Sequence, residues 1–176
     1  MTKPTTSAVS AEALVYADSL YNLARYLTGN DADAEDLVQD TYVRAQAALG
    51  DFHAGTNLKA WLFRILRNAF IDTRRRRRTN PVDGGLDTVS APIQSPATEL
   101  LRDDVEIDRL RHVVAEEIER ALMALSDEHR TAILLDLEGF TETEVADVLG
   151  CALGTVKSRL SRARLQLRER LAQFAR

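Results

Sequence analysis

Two stretches of this chain carry residues whose type and spacing point to a chemistry, and in both it is the binding of a polyanion. Residues 64–78 hold seven Arg against one acid, Asp72, and end in five consecutive arginines; residues 157–170 hold six Lys or Arg against Glu169. These 29 residues carry +11 in a chain of net charge −4, which leaves −15 on the rest. Positive charge concentrated in two short segments of an acidic body is the footprint of a two-site polyanion binder, with two solvated helix faces as the plainer alternative that five consecutive arginines disfavour. Within the first stretch, Phe63, Arg67, Phe70 and Arg74 recur at helical spacing. That mixed aromatic and cationic stripe would suit bases that stack while cations follow the backbone, or equally would pack on a neighbouring helix. Within the second, Thr155, Ser158, Ser161, Arg162 and Leu165 share a face flanked by Lys157 and Arg168. Donors there, at the start of a helix, are what reading the major groove requires.

Other chemistries find no constellation. His53, His112 and His129 are scattered, Cys151 is the single cysteine, and neither a metal-ligand spacing, a Gly-rich phosphate loop nor a nucleophile elbow occurs. The expectation is a protein that is not an enzyme and needs no metal or cofactor. Cys151 falls at a turn between two helices and reads as structural. With 45% hydrophobic residues, no apolar run long enough to span a bilayer and no signal-peptide core near Met1, the chain is expected to be soluble and cytoplasmic, without membrane insertion.

The elements that must position these residues are helices. Apolar positions follow a helical period throughout, with no alternating strand pattern. Thr79 to Thr98 contains three of the four prolines, two glycines and no Lys or Arg, and is read as a flexible linker. It divides the chain into a tail over 1–10, a module over 11–78 and a second module over 99–176, each near the lower size limit for its own core. Fully extended, the linker would span roughly 70 Å.

In the first module the pattern predicts helices from about Ala11 to Leu27, ended by Thr28-Gly29-Asn30, from about Asp33 to Leu49, and from Leu58 into the Arg run, with residues 50–57 as a loop. Ala34, Leu37, Val38, Ala45 and Ala48 form the apolar face of the second. Leu58, Trp61, Leu62, Ile65, Leu66 and Ala69 form that of the third, so Trp61 is a core residue. Asp36, Gln39, Asp40 and Val43 lie away from the second helix's apolar stripe, an acidic strip beside an exposed Val that would suit a basic protein partner or simply solvent. In the second module helices are expected from about Glu99 to Ala124 and from the cap Ser126 to about Glu138. A short helix opened by the capping box Thr141-Glu142-Thr143-Glu144 then closes at Gly150, and a last helix covers about Ala152 to Phe174, with Leu153, Val156, Leu160, Ala163, Leu167 and Leu171 as its core stripe. A short capped helix, a tight Gly turn and a longer basic helix make a helix-turn-helix.

Three segments, DAEDLVQDTYVRA at 33–45, LKAWLFRILRNAFID at 58–72 with its Arg run, and GTVKSRLSRAR at 154–164, closely resemble the extracytoplasmic-function (ECF) sigma factors of bacteria, in order and on both sides of the linker. The resemblance implies an all-α fold of two small domains, sigma regions 2 and 4, without the intervening region 3. It implies core RNA polymerase as partner, through the β′ clamp helices and the β flap, promoter DNA, and a cognate anti-sigma factor. Carried over, Asp36, Leu37, Gln39, Asp40 and Val43 would dock on the clamp helices. Phe63, Arg67, Asn68, Arg74, Arg75 and Arg76 would lie along the minus-ten strand, and the 50–57 loop would hold a flipped base. Lys157, Ser158, Ser161 and Arg162 would read the minus-thirty-five element, with Thr155, Arg159 and Arg164 on or near phosphates. Ser161 stands where members of the family vary widely, and Ala152 replaces the proline or serine often found at the start of that helix, so promoter preference does not transfer. A stand-alone helix-turn-helix regulator is the alternative reading.

Overall fold

The computed structural model of the protein describes residues 12–52, 57–79 and 104–172. Among them are seven α-helices longer than a turn and no strand: α1 (Ala17–Thr28), α2 (Asp31–Ala47), α3 (Leu58–Thr79), α4 (Asp104–Met123), α5 (Asp127–Leu137), α6 (Glu142–Leu149) and α7 (Leu153–Leu171), with a 3₁₀ turn at Leu49–Asp51. The expected tail, linker, first residues of the fourth helix and last residues of the seventh lie outside the described residues.

Local chemistry explains the boundaries. The single helix expected from Ala11 to Leu27 is interrupted: a helical turn over 12–14 gives way to turn bonds from Val15 N to Glu12 O and from Tyr16 N to Ala13 O, and α1 starts afresh. The Ala13 carbonyl instead also accepts from the Tyr42 hydroxyl of α2, 3.0 Å away, so a tertiary bond takes a place that a continuous helix would have filled. Gly29, at φ 84°, ends α1 with its N–H on the Arg25 carbonyl. Asn30, expected only as part of that stop, also starts α2: its side chain accepts from Asp33 N at 2.8 Å. The second helix therefore begins two residues earlier than the acidic cluster alone indicated, and Leu49 passes into the 3₁₀ turn.

In the N-terminal module Leu20, Leu23, Ala24, Leu27, Ala34, Leu37, Ala45, Trp61, Leu62, Leu66 and Ala69 are buried, which bears out the apolar stripes of α2 and α3. In the C-terminal module Ala132, Ile133, Leu135, Val145, Val148, Leu149, Val156, Leu160 and Ala163 are buried where α5, α6 and α7 meet. Leu153, assigned to the α7 stripe from spacing, is the first residue of the helix and is 42% exposed, so the buried stripe begins at Val156.

The modules pack directly on each other, α3 against α6 and α1 against α5. Phe63, fully buried, meets Phe140 edge-on with ring centroids 5.0 Å apart. The Lys59 ammonium lies over both rings, 4.9 Å from the Phe140 centroid, and donates to the Glu138 carbonyl (2.8 Å) and carboxylate (3.1 Å). Arg130 is buried and donates to the Leu122, Met123 and Leu125 carbonyls at the end of α4 and, across the interface, to the Tyr26 carbonyl at 2.8 Å. One guanidinium thus satisfies the orphan carbonyls of two helix ends. Arg25, also buried, pairs with Asp31 at 2.5 Å and reaches Glu119 of α4 at 3.7 Å.

Candidate nucleic-acid interface

The best-formed site is built on the turn before α7. Thr141 and Glu144 make the expected capping box: Glu144 N donates to Thr141 Oγ1 at 3.3 Å and Thr141 N to the Glu144 carboxylate at 2.8 Å. Gly150, at φ 57°, closes α6 in the left-handed region, where a side chain would be strained. The chain then re-enters α7 at Ala152, which has no side chain able to cap. Val156, Leu160 and Ala163 anchor the helix to α5 and α6. That fixes the opposite face outward: Lys157, Ser158, Ser161, Arg162 and Arg164 are exposed, and Thr155 and Arg159 half-buried. Ser158 Oγ donates to the Thr155 carbonyl at 2.9 Å, Arg164 pairs with Asp136 at 2.8 Å, and Lys157 lies 3.8 Å from Glu142. Arg162 has no carboxylate partner among the described residues. The face therefore presents guanidinium, ammonium and hydroxyl donors on one rigid helix, the equipment for hydrogen-bonding base edges and phosphates.

The α3 face has a different fate. Asn68, Arg75 and Arg76 are exposed as a nucleic-acid surface requires. Phe63 is not: its ring is sealed under Phe140, so in this arrangement it packs the modules together and cannot stack on a base. The aromatic and cationic stripe, open to two readings in the sequence, here resolves as a helix-packing surface at Phe63 and Phe70, the latter 9% exposed. Arg74 stacks 5.6 Å from the Phe70 centroid and pairs with Asp127 of α5. Arg67 is half-buried against the helix-turn-helix, with a guanidinium nitrogen 3.9 Å from where a Cβ on Gly150 would lie. Burial, and then the like charge of Arg159, pull its pKa below the ordinary arginine value. Arg77 holds Asp33 with both guanidinium nitrogens (2.9 and 3.2 Å), and that pairing, followed by the Asn30 side chain, draws the Asp33 carboxyl below its usual range.

On α2, Asp36, Gln39 and Val43 are exposed, Val43 by 67%, and Asp40 is half-buried in a pair with Arg44 at 2.9 Å. Leu37 departs from the docking set: it is only 6% exposed and belongs to the module's own core, as its place on the apolar stripe required. Of the 50–57 loop, residues 53–56 lie outside the described residues, and its last residue has two functions that sequence reading missed. Asn57 caps α3, accepting from Ala60 N at 3.1 Å, and donates across the interface to Glu144 at 2.6 Å. Lys59, Glu138, Phe140 and Arg130 were missed for the same reason, since pairing between modules leaves no periodic mark. Arg130 alone carried a signal. A cation in the first turn of a helix opposes the helix dipole and points to a partner elsewhere.

No helix among the described residues is long and apolar enough to cross a membrane, and no group of three or more His, Cys, Asp or Glu among them could hold a metal ion.

Comparison with known proteins matches both modules. The Sigma-70 region 2 family matches residues 14–79 and the Sigma-70, region 4 family residues 115–167. The chain is 37% identical over 165 residues to the ECF RNA polymerase sigma factor EcfG of Rhodopseudomonas palustris, covering 93% of this chain and 85% of the relative. It is 38% identical over 164 residues to the ECF RNA polymerase sigma factor SigE of Mycolicibacterium smegmatis, covering 91% of this chain but 60% of that longer protein. Among solved structures it resembles the sigma factor RpoE of Bartonella quintana in complex with the anti-sigma factor NepR, with a TM-score of 0.73, 37% identity and coverage of 92% and 95%. It also resembles CnrH in complex with the cytosolic domain of CnrY, with a TM-score of 0.65, 28% identity and coverage of 96% and 90%.

Proposed function

Because the chain belongs to the ECF sigma factors of the sigma-70 family, we propose that it directs core RNA polymerase to promoters through the two faces just described. The observation that carries this reading is the α7 face: a helix entered from a capped, glycine-closed turn, with Lys157, Ser158, Ser161 and Arg162 outward and no competing use for most of their donors. These four read the minus-thirty-five element, and Thr155, Arg159 and Arg164 lie on or beside phosphates. On α3, Asn68, Arg75 and Arg76 are available to the minus-ten strand as the molecule stands. Arg67 and Arg74 join them only when the modules separate, as each is engaged with the C-terminal module.

Asp36, Gln39, Asp40 and Val43 form the docking strip for the β′ clamp helices, and the C-terminal module meets the β flap. The Bartonella quintana relative is solved in complex with an anti-sigma factor, and a cognate inhibitor is the corresponding partner here. No covalent step is required. The factor supplies sequence selectivity to an enzyme that lacks it, and binding of the separated strand offsets a few kcal/mol of unstacking. Two modest DNA contacts become selective when the polymerase holds both modules at a fixed spacing.

Run-off transcription with purified core polymerase over a genomic promoter library tests this. Discrete start sites that depend on the protein are expected, and they should disappear with Asp36→Lys/Asp40→Lys while the helical signal is retained. No polymerase-dependent starts, together with tight duplex binding by the protein alone, would replace this reading with that of a stand-alone regulator.

A further inference from the structure

The packing of the two modules leaves a cleft of about 650 Å³ between α3 and the C-terminal module. Its walls carry five guanidiniums, Arg67, Arg74, Arg75 and Arg78 from α3 and Arg159 from α7, against two carboxylates, Asp127 and Glu128. Asp127 is already engaged by Arg74 and lies 3.7 Å from Arg130. Arg67 and Arg159 approach each other from opposite modules, Arg67 against Gly150 and Arg159 with a nitrogen 3.7 Å from the Cys151 sulfur. Neither has a carboxylate partner among the described residues, although Arg67 is half-buried. Like charges brought together across an interface oppose its closure, and burial sharpens the penalty unless an anion lies between them.

We propose that this cleft binds a small polyphosphate, inorganic or borne by a nucleotide, which bridges Arg67 and Arg159. With Arg74 held by Asp127, four guanidiniums face the one remaining carboxylate, Glu128, an excess that calls for a ligand of several charges, and their planar forks match phosphoryl oxygens two at a time. The volume is that of a small-molecule site and excludes a nucleic-acid duplex. Phe70, Ile71 and Leu149 line an apolar strip beside the arginines, where a nucleobase could lie and an inorganic chain would make no use of it. A ligand held by both modules stabilises their closed arrangement in proportion to its occupancy. The regulatory consequence, withdrawal of Arg67 and Arg159 from promoter DNA, rests on the function proposed above; the binding itself does not.

The test is calorimetric titration of the full-length protein with sodium tripolyphosphate at fixed ionic strength, with sulfate as control and ATP and GTP as second arms. Saturable one-to-one binding and a raised Tm are expected. Arg67→Ala and Arg159→Ala should each weaken binding by roughly tenfold or more, the scale of a charge-assisted hydrogen bond, whereas Arg162→Ala, on the open face of α7, should leave it unchanged. Arg159→Ala should also raise the Tm of the ligand-free protein, by relieving the like-charge contact, while removing the ligand-induced rise. Tighter binding of a nucleotide than of tripolyphosphate assigns the base to the apolar strip, and the reverse assigns the site to the inorganic chain. Absence of saturable binding beyond the sulfate control overturns the proposal, as does equal loss in Arg162→Ala, which would mark the binding as general attraction to a basic surface. Transcription plays no part in these measurements, so their failure and that of the promoter reading are separable.

Discussion

Helices α3 and α7 both carry a basic run and an amphipathic face, yet one is covered and the other open. The difference lies in the width of their apolar arcs. On α7 the buried residues Val156, Leu160 and Ala163 make a narrow stripe that one module can cover, so the face with Lys157, Ser158, Ser161 and Arg162 is left to water while Thr155 and Arg159 flank the stripe half-buried. On α3, Trp61, Ile65, Ala69, Leu62 and Leu66 already span an ordinary core face, and Phe70 and Phe63 extend it to an arc of about 200° at 100° per residue. A three-helix module cannot bury so wide an arc alone. The second half of it is covered by Phe140 across the interface, with Lys59 of α3 itself drawn over both rings to Glu138 and Arg74 drawn along by Asp127. Basic residues beside a narrow stripe are free to read a ligand; beside a wide arc they are first used to close the molecule.

That contrast is broken most severely at Phe63. Phe63→Ala should lower the unfolding free energy by about 3–5 kcal/mol, the cost of emptying a buried aromatic site, and speed amide exchange in α6. The matching truncation on the open helix, Leu165→Ala, removes a side chain that is 52% exposed and should cost within about 0.5 kcal/mol. Equal, small losses in denaturant titrations of the two variants would mean that the modules do not rest on each other through Phe63.

The open face is sharpened by the opposite experiment. Arg162→Ala should leave stability unchanged within about 0.5 kcal/mol. It should weaken binding of the polymerase holoenzyme to minus-thirty-five duplex by about 1–3 kcal/mol if it reads a base, relaxing selectivity at one position, or lower the salt slope by about 1 if it holds a phosphate. Filter binding at several salt concentrations separates these outcomes. A fall in stability would instead place Arg162 in the packing.

How far this was legible in the sequence follows from the same two helices. The capping box, Gly150 and the α7 stripe are local signals, and spacing predicted them to within a residue or two. The α3 stripe was equally local, and only its excess width pointed beyond its own module. Leu37 shows the converse. The resemblance placed it in a docking set, but its stripe position placed it in the core, where it lies. Interruption of the first helix by Tyr42, and the contacts of Arg130 with Tyr26 and of Asn57 with Glu144, join residues 29, 104 and 87 positions apart. No period in the chain encodes such pairings.

The smallest effect reports on the closed arrangement alone. Glu144 accepts from Thr141 N and Oγ1 at 2.8 and 2.9 Å and from Asn57 Nδ2 at 2.6 Å. These bonds, the Thr141 backbone first, then its side chain, then Asn57, hold the Glu144 pKa below 4.5, its ordinary value. With the folded value depressed, the unfolded chain takes up the proton first as pH falls. The stabilisation from Glu144 is therefore complete above about pH 4.5 and is lost as pH drops through the folded value. Asp33 is depressed in the same direction by Arg77, then by Asn30, but both of those partners lie in its own module. Asn57→Ser keeps a side chain able to cap α3 while withdrawing the donor that reaches Glu144. Carboxyl titration by NMR should then show the Glu144 pKa rise part of the way towards its ordinary value while that of Asp33 stays in place. Since the Thr141 contacts are internal to the C-terminal module, that partial rise measures how persistently the modules are closed, and an unchanged Glu144 would mean that they stand apart in solution.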